Sequence, residues 1–161
     1  MGRYFRCKVL ALMLMPSLGL AQDFDKGETA YLAGDYGAAM QEFTPLATQG
    51  DVSAQVYLGI MYDIGAGAEQ NYLEAAKWYR LAADQGDGMA QNRLGIMYLD
   101  GRGMPQDFVE AHMWFNISAA NGQSNSKHRR DYVAAMMAAA DVVEAQRRAK
   151  VCMASNYQDC D

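Results

Sequence analysis

Two consecutive stretches, GDVSAQVYLGIMYDIGAGAEQNYLEAAKWYRLAADQ at 50–85 and GDGMAQNRLGIMYLDGRGMPQDFVEAHMWFNISAAN at 86–121, carry the same residue at 16 of their 36 positions. Self-similarity at a fixed period of this size means stacked supersecondary units, because one such unit cannot bury its own apolar face and adjoining copies bury each other's. Each copy reads as two helices. The first follows Asp51 or Asp87, whose side chains suit an N-cap, and shows its apolar face at Ala54, Leu58, Met61 and Tyr62, a helical spacing. Gly59 and Gly95 interrupt that helix at a cost in propensity, which implies that a neighbouring helix comes close there. Paired glycines in DIGAGAEQ and DGRGMPQ then end the pattern.

The second helix opens in each copy with a capping box, Asn71 with Glu74 and Asp107 with Glu110. It carries Ala75, Trp78 and Tyr79 in one copy and Ala111, Trp114 and Phe115 in the next. A shorter unit precedes them, since Ala39, Phe43 and Ala47 fall one period before Ala75, Tyr79 and Ala83. After Gly122 the match fails, with Arg130 and Asp131 where leucine and glycine stood, yet two alanine-rich charged helices remain, as expected of a unit that closes a stack against water. The expected architecture is all-α: an α-solenoid of stacked antiparallel helix hairpins. Its divisions are 1–21, 22–49, 50–85, 86–121 and 122–161.

The segment 1–21 reads as a signal peptide. Arg3, Arg6 and Lys8 precede an apolar run from Val9 to Leu20, and small residues at Gly19 and Ala21 place cleavage between Ala21 and Gln22. The run is too short to span a bilayer comfortably, so an uncleaved anchor is the less favoured alternative. Cys7 lies before the run, where lipid attachment does not occur. Removing this segment takes three of the 14 basic residues and none of the 19 acidic ones. The acidic body that remains excludes a phosphate-binding surface and with it nucleic acid as a partner. Cys152 and Cys160, the cysteines that survive processing, most simply pair in an oxidising compartment, free thiols being the alternative. The expected location is the periplasm, or else the extracellular space.

The pattern A-Q-x-x-L-G-x-M-Y-x-x-G-x-G-x-x-x-x-x-x-E-A-x-x-W, met twice at this period, resembles the Sel-one-like repeat family, relatives of the tetratricopeptide repeat. The resemblance covers about residues 24–121. It implies a non-catalytic adaptor or scaffold that holds a segment of another protein in the concave groove lined by first helices. Counting from Leu58 and Leu94 in the tetratricopeptide manner puts Ser53, Val56, Ile60 and Asp63, then Met89, Asn92, Ile96 and Leu99, on that groove. The shorter unit adds Phe24, Glu28 and Tyr31, and the last unit Asn125, His128 and Tyr132. Methionine and isoleucine at helical spacing serve equally well as core, so each of these positions has a packing role as its competitor. Trp78 and Trp114 occupy signature positions and read as structural rather than ligand-stacking.

No catalytic constellation accompanies the repeats. His112 and His128 stand alone, His112 as a partly buried packing residue and His128 within a basic, solvated KHRR run. The glycine pairs lack the lysine and hydroxyl of a phosphate loop. No metal or cofactor is implied. The resemblance does carry one enzymatic alternative, since cysteine-rich exported members are linked to penicillin binding or β-lactam hydrolysis, with cysteines spaced as Cys152 and Cys160 are. Those cysteines recur in each repeat, whereas both clear repeats here have none, and no Ser-x-x-Lys motif appears.

Overall fold

The N-caps read from the sequence set the helix starts. In a computed structural model that describes residues 18–160, Asp51 accepts from the Ala54 N–H at 2.8 Å and Asp87 from the Ala90 N–H at 2.7 Å. Asn71 accepts from Glu74 N–H at 3.1 Å, and Asp107 from Val109 and Glu110 at 2.8 and 3.0 Å. The reciprocal half of each expected capping box is replaced. The N–H groups of Asn71 and Asp107 donate instead to the Tyr62 and Tyr98 carbonyls of the preceding helix, at 2.9 and 3.0 Å. Glu74 is thereby left to pair with Lys77, and Glu110 with Arg148. The helices are α1 (Leu18–Leu32), α2 (Tyr36–Thr48), α3 (Val52–Ile64), α4 (Tyr72–Ala83), α5 (Gly88–Asp100), α6 (Phe108–Ala120), α7 (Ser124–Ala134) and α8 (Ala139–Ala154), with no strand among the described residues. The chain is an all-α solenoid of helical hairpins.

Three hairpins, α1–α2, α3–α4 and α5–α6, stack in order, with α2 on α3 and α4 on α5. Each is closed by a glycine against an aromatic ring. A Cβ on Gly27 would lie 2.7 Å from the Phe43 ring, on Gly59 2.5 Å from Tyr79, and on Gly95 2.6 Å from Phe115. Only hydrogen fits there, and the three rings are fully buried. Between hairpins, Gln55 donates through Nε2 to the Ala47 carbonyl at 3.1 Å, and Gln91 repeats the bond to Ala83. These buried amides add a second hydrogen bond to carbonyls in the last turns of α2 and α4, which also accept from the Gly50 and Gly86 N–H groups. The second loop glycine of each repeat completes the join. Gly67 and Gly103 hold positive φ, and a Cβ on either would meet the backbone of Tyr36 or Tyr72 at 2.6 Å.

The last unit departs from the expected hairpin. α7 and α8 both pack on α6 and scarcely on each other. Their connection is four residues, Ala135 to Ala138, against the seven of Gly101 to Asp107 and the three that close the α1–α2 hairpin, so linker length alone does not decide where α8 packs. Asp131 stands where the closing glycine stood in α5. α8 lies over the outer side of α6 instead, burying Ala145, Ala149 and Cys152, with Arg148 Nη2 2.5 Å from Glu110 Oε1. A disulfide joins Cys152 to Cys160. It brings the tail back so that Tyr157 rests on Gly86 and donates to Asn121 Oδ1 at 3.0 Å. Residues 1–17 of the expected 1–21 leader lie outside the described residues, and the Ala21–Gln22 bond falls within α1.

Gly95→Ala is expected to lower stability by about 1–3 kcal/mol, because the overpacking cost outweighs the gain in helix propensity. Gly37→Ala, whose Cβ would meet only Asp35 at 3.8 Å, should be neutral or stabilising; chemical denaturation of the two variants compares them. Cys160→Ser removes a short covalent loop and should cost about 2–3 kcal/mol on chain-entropy grounds, read as a lowered thermal midpoint with the helical signal retained below it.

Candidate functional site

Three successive first helices converge on one cleft. Phe24, Glu28 and Tyr31 come from α1, Ser53, Val56, Tyr57 and Ile60 from α3, and Asp87 and Met89 from the start of α5, enclosing about 500 Å³. Its back wall is an aromatic cluster. Tyr57 stacks on Phe43 at 4.7 Å between ring centroids and meets Tyr31 and Phe24 edge-on at 5.1 and 5.9 Å. The Tyr57 hydroxyl donates to Glu28 Oε1 at 2.9 Å. Burial, and then the Glu28 carboxylate, push the Tyr57 phenol above its ordinary range, so it stays a neutral donor. Two carboxylates, Glu28 and Asp87, and no basic side chain line the cleft.

Seven of the fourteen positions expected on the groove thus meet here: Phe24, Glu28, Tyr31, Ser53, Val56, Ile60 and Met89. Val56 is its nearly buried floor. The other seven do not. Asn92 is buried beneath α7, donating to Ser126 Oγ at 3.0 Å and accepting from Arg129 at 3.1 Å, so it is a staple between helices. Ile96 and Leu99 pack with Phe115 and Val133 under the same helix. Asp63 lies outside the cleft lining, with its carbonyl accepting from Gln70. Asn125, His128 and Tyr132 are exposed on α7, away from the cleft, and His128 belongs to a depression against α6. Two lining residues were missed. Tyr57 stands one place before the reference leucine, where the next repeat has Arg93, and Asp87 was read only as an N-cap.

Elsewhere the polar residues read as structural. Trp114 is fully buried with the Arg80 guanidinium 5.3 Å from its ring centroid, and half-buried Trp78 packs into the N-terminal core. His112 is more buried than expected, at 1% exposure, and its Nδ1 has no hydrogen-bond partner. Burial, then Arg130, holds its pKa below the ordinary value of 6.5. Among the described residues no group of three or more acidic, histidine or cysteine side chains is placed to hold a metal, and no helix is long and apolar enough to cross a membrane. The disulfide lies in the tail and braces no repeat, so the likeness behind the cysteine-rich enzymatic alternative goes no further than spacing.

A family model described as Sel1 repeat matches residues 52–87 and 88–123. The chain carries two Sel1 repeats. Among solved structures, a Sel1 repeat protein from Oxalobacter formigenes is 33% identical, with a TM-score of 0.65 over 68% of this chain and 45% of its own. A protective antigen present in uropathogenic Escherichia coli strains, displaying an SLR fold, is 24% identical with a TM-score of 0.80 over 86% of this chain and 31% of its own, a likeness of fold alone. This chain therefore spans about a third of one of these proteins and less than half of the other. No curated protein matches it significantly. Sel1 repeats generally mediate protein–protein interaction and are generally non-catalytic.

Neutral His112 in the fold and an ordinary histidine in the unfolded chain give a defined pH dependence. Because the folded pKa is depressed, the unfolded state takes up the proton first, so stability falls as pH drops below about 6.5. Denaturation midpoints between pH 7.5 and 5.5 should show this slope in the native chain and a flatter one in His112→Ala, the residue that the preceding repeat carries as Ala76.

Proposed function

We propose that the protein is a non-catalytic adaptor that holds a segment of another protein in the cleft between α1, α3 and α5. One observation carries the reading: seven groove positions from three successive first helices line a single aromatic-walled cleft whose only charges are carboxylates. Phe24, Tyr31, Val56, Ile60 and Met89 offer an apolar bed, and Glu28 and Asp87 flank it. A segment combining apolar residues with a lysine or arginine matches that chemistry. The leader and the disulfide support work in an oxidising compartment outside the cytoplasm, with the periplasm as the proposed location. The unit boundaries proposed for the interacting stack are 22–49, 50–85 and 86–121, with 122–161 as its cap.

The test is photocrosslinking in cells from position 60, with a matched probe at Gln146 on the exposed side of α8. A distinct protein adduct is expected at 60 and none at 146. Glu28→Lys should suppress it with helical content unchanged. Identical adducts from both positions, or none from 60 in cells making the protein, would overturn the reading.

A further inference from the structure

The outer face carries a second feature that the concave cleft does not use. Two furrows recur along it at the repeat period, each bounded by a second helix and the loop of the following unit, and the corresponding face of α6 is covered. The first, about 620 Å³, is lined by Gly37, Met40, Gln41, Thr44 and Pro45 on α2 with Gly67, and has no leucine at its edges. The second has the corresponding positions on α4, Leu73, Ala76, Lys77, Arg80 and Leu81, with Gly103 and Met104 from the loop, and encloses about 450 Å³. On α6 the same positions are Val109, His112, Met113, Asn116 and Ile117. α8 covers this third face, and Met113 and Ile117 are completely buried in one cluster with Ala149 and Cys152.

The second furrow has large apolar side chains at Leu73 and Leu81, where the covered face of α6 has Val109 and Ile117, but no helix in it. Leu73 and Leu81 stand 54% and 48% exposed where α6 has half-buried Val109 and fully buried Ile117. The furrow also adjoins the α6–α8 interface, since Arg80 lies over the Trp114 ring that α8 buries, and Ala76 and Leu94 belong to the same core cluster as Ala149 and Cys152. The acidic anchor is repeated as well. Glu110 pairs with Arg148 of α8, and one period earlier Glu74 stands at the rim, held by the exposed Lys77.

From this we propose that the α4 furrow is a docking site for a helix of another protein resembling α8 in chemistry: an amphipathic helix with small residues at i, i+4 and i+7, as at Ala145, Ala149 and Cys152, and an arginine beside the seam. The small residues let the helix lie close over Leu73, Ala76 and Leu81, and its arginine takes Glu74 in the way Arg148 takes Glu110. Lys77 stands where α6 has Met113 and competes for that carboxylate, so docking here is weaker and reversible, whereas α8 is tethered to its own furrow. The site is independent of the concave cleft.

The probe is a labelled synthetic peptide of residues 139–154 with Cys152→Ala, titrated by fluorescence anisotropy into the full chain with its disulfide intact. Saturable binding is expected, weakened at least about tenfold by Leu81→Asp, which corresponds to roughly 1.4 kcal/mol, and unchanged by Ile60→Asp in the concave cleft. Lys77→Met, which makes the furrow more like that of α6 and releases Glu74, should tighten binding; this variant keeps the test decisive if Leu81→Asp alters the fold. No binding at millimolar peptide overturns the proposal. So does binding that ignores both Leu81→Asp and Lys77→Met, because the peptide would then be displacing α8 from α6.

Discussion

Everything in the stack depends on a hydrogen atom where a side chain would be. Gly27, Gly59 and Gly95 each let an aromatic ring of the partner helix sit where a Cβ belongs, with Phe43, Tyr79 and Phe115 filling that space. The ring fixes how closely and at what height the two helices of a hairpin meet, and three hairpins closed in one way present equal faces to one another. Helix packing in this form is set by the shape of the contact more than by its area. Where the glycine is lost, at Asp131 of α7, the fourth hairpin does not form and α8 packs on α6 instead. The end of the solenoid thus follows from the same contact that builds it.

Stacking direction is fixed by a different device. Buried Gln55 and Gln91 donate to the last turn of the preceding hairpin, and their own carbonyl oxygens accept from Gln85 and Asn121, which close the same repeat at 2.9 and 2.8 Å. Tyr157 of the disulfide-tied tail continues the line to Asn121. A buried amide left unpaired costs more than the bond itself is worth, so slippage of one hairpin on the next is penalised at each join. This rigidity lets side chains from α1, α3 and α5 hold a common cleft.

Periodicity and caps made the local structure legible: a residue's place in a 36-residue unit and an aspartate before an apolar run are both read within a few positions. The concave cleft was legible at its α1 and α3 walls for the same reason. Reading failed where a neighbour broke the period. Asn92, Ile96 and Leu99 occupy the same register as Val56, Ile60 and Asp63, but α7 presses on them through Ser126 and Val133, and no residue in α5 announces that. Tyr57 escaped because the tetratricopeptide count from Leu58 takes residues two and five places away on either side and passes over the one beside it. The seat of α8 was hidden for a related reason: it depends on the lost glycine at 131 and on the outer face of α6, which the repeat pattern does not show together.

The differences between the copies, more than their identities, distinguish the faces. Identical positions are consumed in closing hairpins and joining them, and what they build is the same in every unit. Tyr57 against Arg93 decides that the aromatic wall lies at the N-terminal end of the concave side. Lys77 and Arg80 against Met113 and Asn116 decide that the middle furrow of the outer side has a charged rim while the last is apolar enough to hold α8 permanently. A cleft with carboxylates and no bases on one side, and an open apolar furrow with a charged rim on the other, are separate surfaces on one rigid frame. Both accept an apolar segment with a basic residue, but they share no lining residue, so the two faces are able to engage separate segments at once.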